Sequence, residues 1–185
     1  MSADFDFITD RLAVGNVASR AVPGFVAVVS LLSTRPWDEL HGAPIVPRGI
    51  RLDAVVWSGR GSKFRSTEGQ IAIWHIDIGD GETKKPHPGT GETYGHDLDE
   101  YLDDVTAFIA AHIARGCVLV HCGAGISRSV AIVVAYLCRY AGMSYDEALA
   151  FVRSKRPQAA PCDAFAAAVK RWLRLDYLTT TGPRR

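Results

Sequence analysis

Cys122 and Arg128 stand on either side of Gly123, Ala124, Gly125, Ile126 and Ser127. The apolar run Val118-Leu119-Val120 leads through His121 into this segment, and a second apolar run from Val130 to Tyr136 follows it. The pattern reads as a buried strand, a small-residue loop and a helix. Gly123 and Gly125 permit the left-handed backbone that turns loop N–H groups inward, and the helix adds its own N-terminal donors, so the loop suits an anion. A thiol at that point is expected to ionise below its ordinary range, which makes Cys122 a nucleophile at neutral pH. Arg128 can return across the loop with planar, paired donors that match two oxygens of a phosphoryl group. Phosphate is the natural ligand of such a cradle.

Cleaving a phosphate monoester also requires a proton for the departing oxygen. The upstream acids are Asp77, Asp80, Asp97 and Asp99. Asp97 and Asp99 suit the first turn of a helix, where the dipole favours a carboxylate, which leaves Asp77 and Asp80. Ser129, next to the arginine, can donate its hydroxyl to the Cys122 sulfur and ease departure of the thiolate when a phosphocysteine breaks down. His121 is expected to orient the loop through hydrogen bonds rather than to transfer protons.

His-Cys-x-x-Gly-x-x-Arg-Ser, from His121 to Ser129, resembles the signature loop of the cysteine-dependent protein tyrosine phosphatase superfamily, and Ala-Gly-Ile-Ser before the arginine resembles its dual-specificity branch. Ala135-Tyr136-Leu137 with Met143-Ser144, and Arg156-Pro157 followed by Pro161, extend the resemblance over about 5–173. It implies one α/β domain over 1–178, in which a central mixed or parallel sheet is flanked by helices and a strand, phosphate loop and helix form the active site. The stretch 33–69 is longer than the family needs and reads as an insertion; 179–185 reads as a flexible tail.

The resemblance further implies metal-independent hydrolysis of phosphate monoesters through a phosphocysteine. Phosphotyrosine and phosphoserine or phosphothreonine in proteins are the expected substrates, and no cofactor is expected. Positions 123–128 would bind the phosphate. The family's acid lies a few residues past a strand end, which favours Asp80, with Asp77 as the alternative. Gly123, Ala124, Ile126 and Ser127 include no lysine, which leans away from inositol lipids, although Lys84, Lys85 and His87 could bring positive charge from outside. A phosphate-binding module without hydrolysis, or a phosphatase for phosphoinositides or phosphorylated carbohydrates, are the alternatives.

The elements that must position these groups can be read along the chain. Phe5–Ile8 and Leu12–Gly15 form a hairpin about Thr9-Asp10-Arg11, and 16–21 a brief helix. Phe25–Leu32 is β-branched and continuous, as for a strand buried on both faces. Arg51–Trp57 is one more strand and Arg60–Arg65 a basic loop. Ile71–Ile78 is a strand ending at Gly79-Asp80-Gly81. Leu98, Tyr101, Leu102, Val105, Phe108, Ile109 and Ile113 recur at helical spacing within 97–114. The helix 126–140 is apolar nearly all round and ends at Gly142. Ser144 and Glu147 form a capping box for the next helix, which ends at Arg156-Pro157, and Pro161 opens a last helix to about Tyr177.

Composition bounds the remaining choices. The 185 residues suit one domain. Lys and Arg number 21 against 20 Asp and Glu, so no global field draws nucleic acid. No apolar run is long enough to span a membrane, and residues 1–6 carry no basic start of a signal peptide, so a cytosolic location is expected. Cys117, Cys122, Cys138 and Cys162 lack paired zinc-site spacing and are expected to be reduced, with a regulatory disulfide at Cys122 as a minor alternative. The sequence leaves the oligomeric state open.

Overall fold

Four parallel strands form the middle of the sheet; a single antiparallel strand extends it at one edge and an antiparallel hairpin at the other. The computed structural model describes residues 2–32, 52–58, 61–66, 71–79, 85–86, 93–94 and 97–180, with the main chain alone in 52–58, 61–66, 77, 85–86, 93–94 and 176–180. The strands are β1 (Phe5–Thr9), β2 (Leu12–Gly15), β3 (Phe25–Leu32), β4 (Leu52–Ser58), β5 (Gly61–Ser66), β6 (Ala72–Asp77), β7 (Lys85–Pro86), β8 (Thr93–Tyr94) and β9 (Cys117–His121). The helices are α1 (Asp99–Ile113), α2 (Arg128–Ala141), α3 (Tyr145–Lys155) and α4 (Asp163–Thr180), and a short 3-10 turn spans Val17–Ala21.

The sheet order is β1-β2-β9-β3-β6-β5-β4, with β7 and β8 paired separately. β2, β9, β3 and β6 run parallel, while β1 joins β2, and β4 and β5 join β6, antiparallel. The parallel strands therefore end together at Gly15, His121, Leu32 and Asp77, the edge at which α/β sheets place their ligands.

Local chemistry explains the main joints. The Thr9 hydroxyl accepts from the N–H groups of Arg11 and Leu12, closing the first hairpin. Gly142 ends α2 at φ +67°, a left-handed cap that costs glycine nothing. Ser144 and Glu147 form the reciprocal capping box that starts α3. α2 is buried along most of its length and packs against α1, α3 and α4.

One large core joins all four helices to one face of the sheet through Val14, Val29, Leu31, Trp74, Ile76 and Val120. The opposite face holds a smaller cluster of Ala13, Phe25, Val28, Ile71, Ile73 and Leu119. Among the described residues, the four α-helices lie on one side of the sheet. β3 is nonetheless buried along both faces, as its unbroken apolar run requires.

Three sequence expectations change. The basic segment 60–65 is largely strand: β5 pairs through Ser62, Lys63, Phe64 and Arg65 with β6 and with β4 on its other side. Charge at alternate positions fits the two-residue period of a strand, so a loop reading gave those charges too much weight. Helix α4 continues through Thr180, beyond the expected start of a tail at 179. Helix α1 begins at Asp99 rather than Asp97. Within the expected insertion, β4 and β5 add a hairpin to the sheet; 33–51, 59–60 and 67–70 lie outside the described residues, as do Asp80, Lys84, His87 and 181–185.

Among the described residues no helix is long and apolar enough to cross a membrane. No group of three or more His, Cys, Asp or Glu side chains converges there in a way that could hold a metal ion.

Candidate active site

β9 carries the chain between β2 and β3 and releases it at Cys122, whose N–H donates to the Gly15 carbonyl at 3.3 Å. Gly15 admits no larger residue: an added Cβ would lie 2.7 Å from Ser19 Oγ and 2.9 Å from Phe5 Cβ. Cys122 is only 2% exposed at the loop floor. The Gly125 N–H donates to its sulfur at 3.3 Å, and the Ser129 hydroxyl lies 3.3 Å away on the first turn of α2. Burial alone would push this thiol up; the Ser129 hydroxyl, the Ser129 and Gly125 amides and the Arg128 charge outweigh it, and Cys122 falls below its ordinary value. Cys138 shows the contrast, pushed up to about 11 by burial without comparable support.

The loop is one-sided because its carbonyls are held from behind. The Gly123 carbonyl accepts from Val17 N–H at 3.1 Å and the Ile126 carbonyl from Ala160 N–H at 2.9 Å. Arg156 donates through Nε to the Gly125 carbonyl at 2.7 Å and through NH2 to the Ala124 carbonyl at 3.4 Å. In a planar trans peptide the C=O and the following N–H point in opposite directions. Four carbonyls turned to the rear therefore turn the N–H groups of Ala124, Gly125, Ile126 and Ser127 to the front. Gly125 sits at φ +72°, and a Cβ there would meet Gly15 backbone at 2.6 Å and Arg156 NH2 at 2.8 Å. Ser127 leaves its own helix uncapped and accepts instead from Cys162 N–H at 3.2 Å, tying the loop's exit to the start of α4.

Arg128 occupies the first position of α2 and reaches back so that its NH2 lies within 3.4 Å of where a Gly123 Cβ would be. Its NH1 donates to the Ile78 carbonyl at 3.0 Å. The guanidinium thus spans the space between the loop and the end of β6. Asp80 follows Ile78 by two positions in the sequence and lies outside the described residues. Asp77 ends β6 with its main chain paired to Leu32, and its parity along the strand is that of Ile73 and His75.

The His121 ring is fully buried beside the Cys122 backbone, and among the described residues neither nitrogen makes a side-chain hydrogen bond. Burial first, and then the positive charge of Arg20, lower its pKa to about 3; the Cys122 backbone opposes this, while His75 and Arg128 add to it. The residue is held by strand pairing on both sides, with Gly15 and with Ser30.

Sequence reasoning did not single out Gly15 or Val17, which hold the loop entrance, and noted Arg156 as a helix stop and part of the family resemblance without linking it to the loop. The glycine at the end of an apolar strand was a usable signal for close backbone approach.

Comparison with known proteins agrees with this architecture. Residues 64–174, more than half of the chain, match the model of the dual specificity phosphatase catalytic domain. Dual specificity protein phosphatase 1B of Arabidopsis thaliana is 46% identical over 77 residues, 41% of this chain and 46% of that protein. A MAP kinase phosphatase with leucine-rich repeats from Dictyostelium discoideum is 35% identical over 104 residues, 51% of this chain and 12% of that protein. The chain therefore spans less than half the length of these two relatives. The crystal structure of human tyrosine phosphatase-like serine/threonine/tyrosine-interacting protein shares the fold at a TM-score of 0.65 and 21% identity, covering 93% of this chain and 97% of that one. On the matched domain and its loop, the chain belongs to the dual specificity phosphatase catalytic-domain family.

Proposed function

We propose that this protein is a metal-independent, cysteine-dependent phosphatase acting on phosphotyrosine and on phosphoserine or phosphothreonine in proteins. The observation that carries the reading is the Cys122 thiol, lowered below its ordinary value at the floor of a loop whose amides face forward and whose arginine closes the rim.

In this mechanism the loop amides and Arg128 bind the phosphoryl oxygens, and the Cys122 thiolate attacks phosphorus. The bond from phosphorus to the leaving oxygen breaks as Asp80 delivers its proton there, leaving a phosphocysteine and an Asp80 carboxylate. Water then attacks phosphorus while that carboxylate takes its proton. The sulfur–phosphorus bond breaks, inorganic phosphate forms, and the Ser129 hydroxyl stabilises the thiolate that departs. Asp77 is the alternative acid. His121 keeps the strand end in place. The catalytic unit runs through the end of α4 at Thr180, and the site of action is the cytosol.

Protein phosphate is favoured over inositol lipid because positions 123, 124, 126 and 127 add no positive charge to the cradle. The test is a panel of phosphotyrosine and phosphothreonine peptides, phosphoinositides and phosphorylated sugars, with rapid acid quenching and peptide mass analysis at Cys122. A phosphate adduct on Cys122 and faster turnover of the peptides are expected. Preference for the lipids would overturn the substrate assignment, and turnover without an adduct on Cys122 would overturn the mechanism.

A further inference from the structure

Arg156 is fully buried, yet it lies in no part of the reacting centre. It ends α3, about thirty residues beyond the loop in sequence, and its guanidinium is enclosed by groups from three parts of the chain. NH1 donates to Asp6 Oδ2 at 2.6 Å and to Asp4 Oδ1 at 3.4 Å, and NH2 donates to Asp4 Oδ2 at 2.9 Å. Nε and NH2 serve the Gly125 and Ala124 carbonyls. With its amide turned to present oxygen, Gln158 accepts from both terminal nitrogens at 3.2 Å.

The carboxylates are placed by the N-terminal segment. Asn16 donates to the Ser2 carbonyl at 2.9 Å, accepts from Asp4 N–H at 3.3 Å, and gives its own N–H to the Asp4 carbonyl at 2.9 Å. The Ser19 hydroxyl donates to the same Asp4 carbonyl at 3.0 Å. β1 then fixes Asp6 opposite Val14.

We infer that Arg156 is a positioning residue for the phosphate cradle, and that Asp4 and Asp6 hold it in that role. By holding two adjacent carbonyls to the rear, its guanidinium sets the peptide planes that present the Gly125 N–H to the Cys122 sulfur and the Ile126 N–H to a bound oxyanion. A planar fork can bridge two carbonyls and two carboxylates at once, whereas an ammonium cannot match all four directions. The cradle thus depends on a contact that spans the chain from its fourth residue to its 156th.

This inference rests on the phosphatase reading, and its test needs no turnover. Vanadate affinity and the pH midpoint of Cys122 alkylation by iodoacetamide, followed by peptide mass, are measured on the wild type, Arg156→Lys and Asp6→Asn. Arg156→Lys keeps the charge, so a change reports geometry rather than Coulomb attraction. It is expected to weaken vanadate about tenfold or more and to move the alkylation midpoint to higher pH, because the Gly125 N–H no longer supports the thiolate. Asp6→Asn keeps the guanidinium in place with one anchor fewer, and is expected to shift both in the same direction by a smaller factor. A cooperatively folded Arg156→Lys with wild-type vanadate affinity and midpoint overturns the inference. If that variant does not fold, Asp6→Asn without either shift overturns it. A wild type that binds no vanadate would instead remove the phosphatase reading itself.

Discussion

Arg128 NH1 donates to the carbonyl oxygen of Ile78 across 3.0 Å, which ties the rim of the phosphate loop to the end of β6. In the proposed mechanism the acid comes from the sequence just after Ile78, so this bond would tie the phosphate-binding arginine to the strand that leads to it. Arg128→Lys loses both this bond and the paired donors. Turnover is expected to fall about 10²- to 10³-fold, with KM for a phosphopeptide raised as well. Steady-state kinetics check this, and a variant with wild-type kcat would show that planar pairing is dispensable.

Ser129→Ala removes the hydroxyl 3.3 Å from the Cys122 sulfur. Since that hydroxyl lowers the thiol's pKa, the acidic limb of the kcat/KM profile should move to higher pH. Breakdown of the phosphocysteine should also slow, giving a burst with an aryl phosphate in rapid-mixing experiments. An unmoved acidic limb would remove Ser129 from the site.

The Cys122, Arg128 and Ser129 cluster was legible in the sequence because covalent spacing does most of the work. A strand, a glycine-bearing loop and a helix start leave few ways to arrange eight neighbouring positions. The framework was equally readable where patterns were long: β3 follows its unbroken apolar run and α3 its capping box. The hold of Arg156 on the loop was not legible, since its partners Asp4 and Asp6 lie about 150 residues away and meet it only once the sheet has formed. The burial of the His121 ring was hidden for a related reason: the sequence shows a polar residue beside the nucleophile but not what lies around its ring. β5 was misread because its alternating charges resemble those of a solvated loop.

Asp80→Asn should lower kcat on phosphopeptides about 10²- to 10³-fold and flatten the alkaline fall of the profile, because no acid remains to be lost by deprotonation. Asp77→Asn should leave the alkaline limb in place. The opposite result, with the limb lost in Asp77→Asn alone, would transfer the role to Asp77.

His121 is neutral in the folded chain, its pKa lowered from 6.5 to about 3 by burial and by Arg20. The unfolded chain binds the proton first, so the stability this residue contributes is full above pH 6.5 and is lost as pH falls toward 3. The loss approaches about 1.4 kcal/mol per pH unit within that window. Urea unfolding at pH 7 and pH 5 should show a drop that is smaller in His121→Leu by about 1–2 kcal/mol. Equal drops in the two proteins would contradict a buried neutral ring.

The most direct measurement is hydrolysis of a small aryl phosphate in excess chelator by the wild type and by Cys122→Ser. The account predicts turnover by the wild type that chelator does not reduce, and a loss of at least about three orders of magnitude in the variant, which should still bind vanadate. Turnover that survives in Cys122→Ser, or that disappears when chelator is added to the wild type, would contradict a cysteine nucleophile acting without metal.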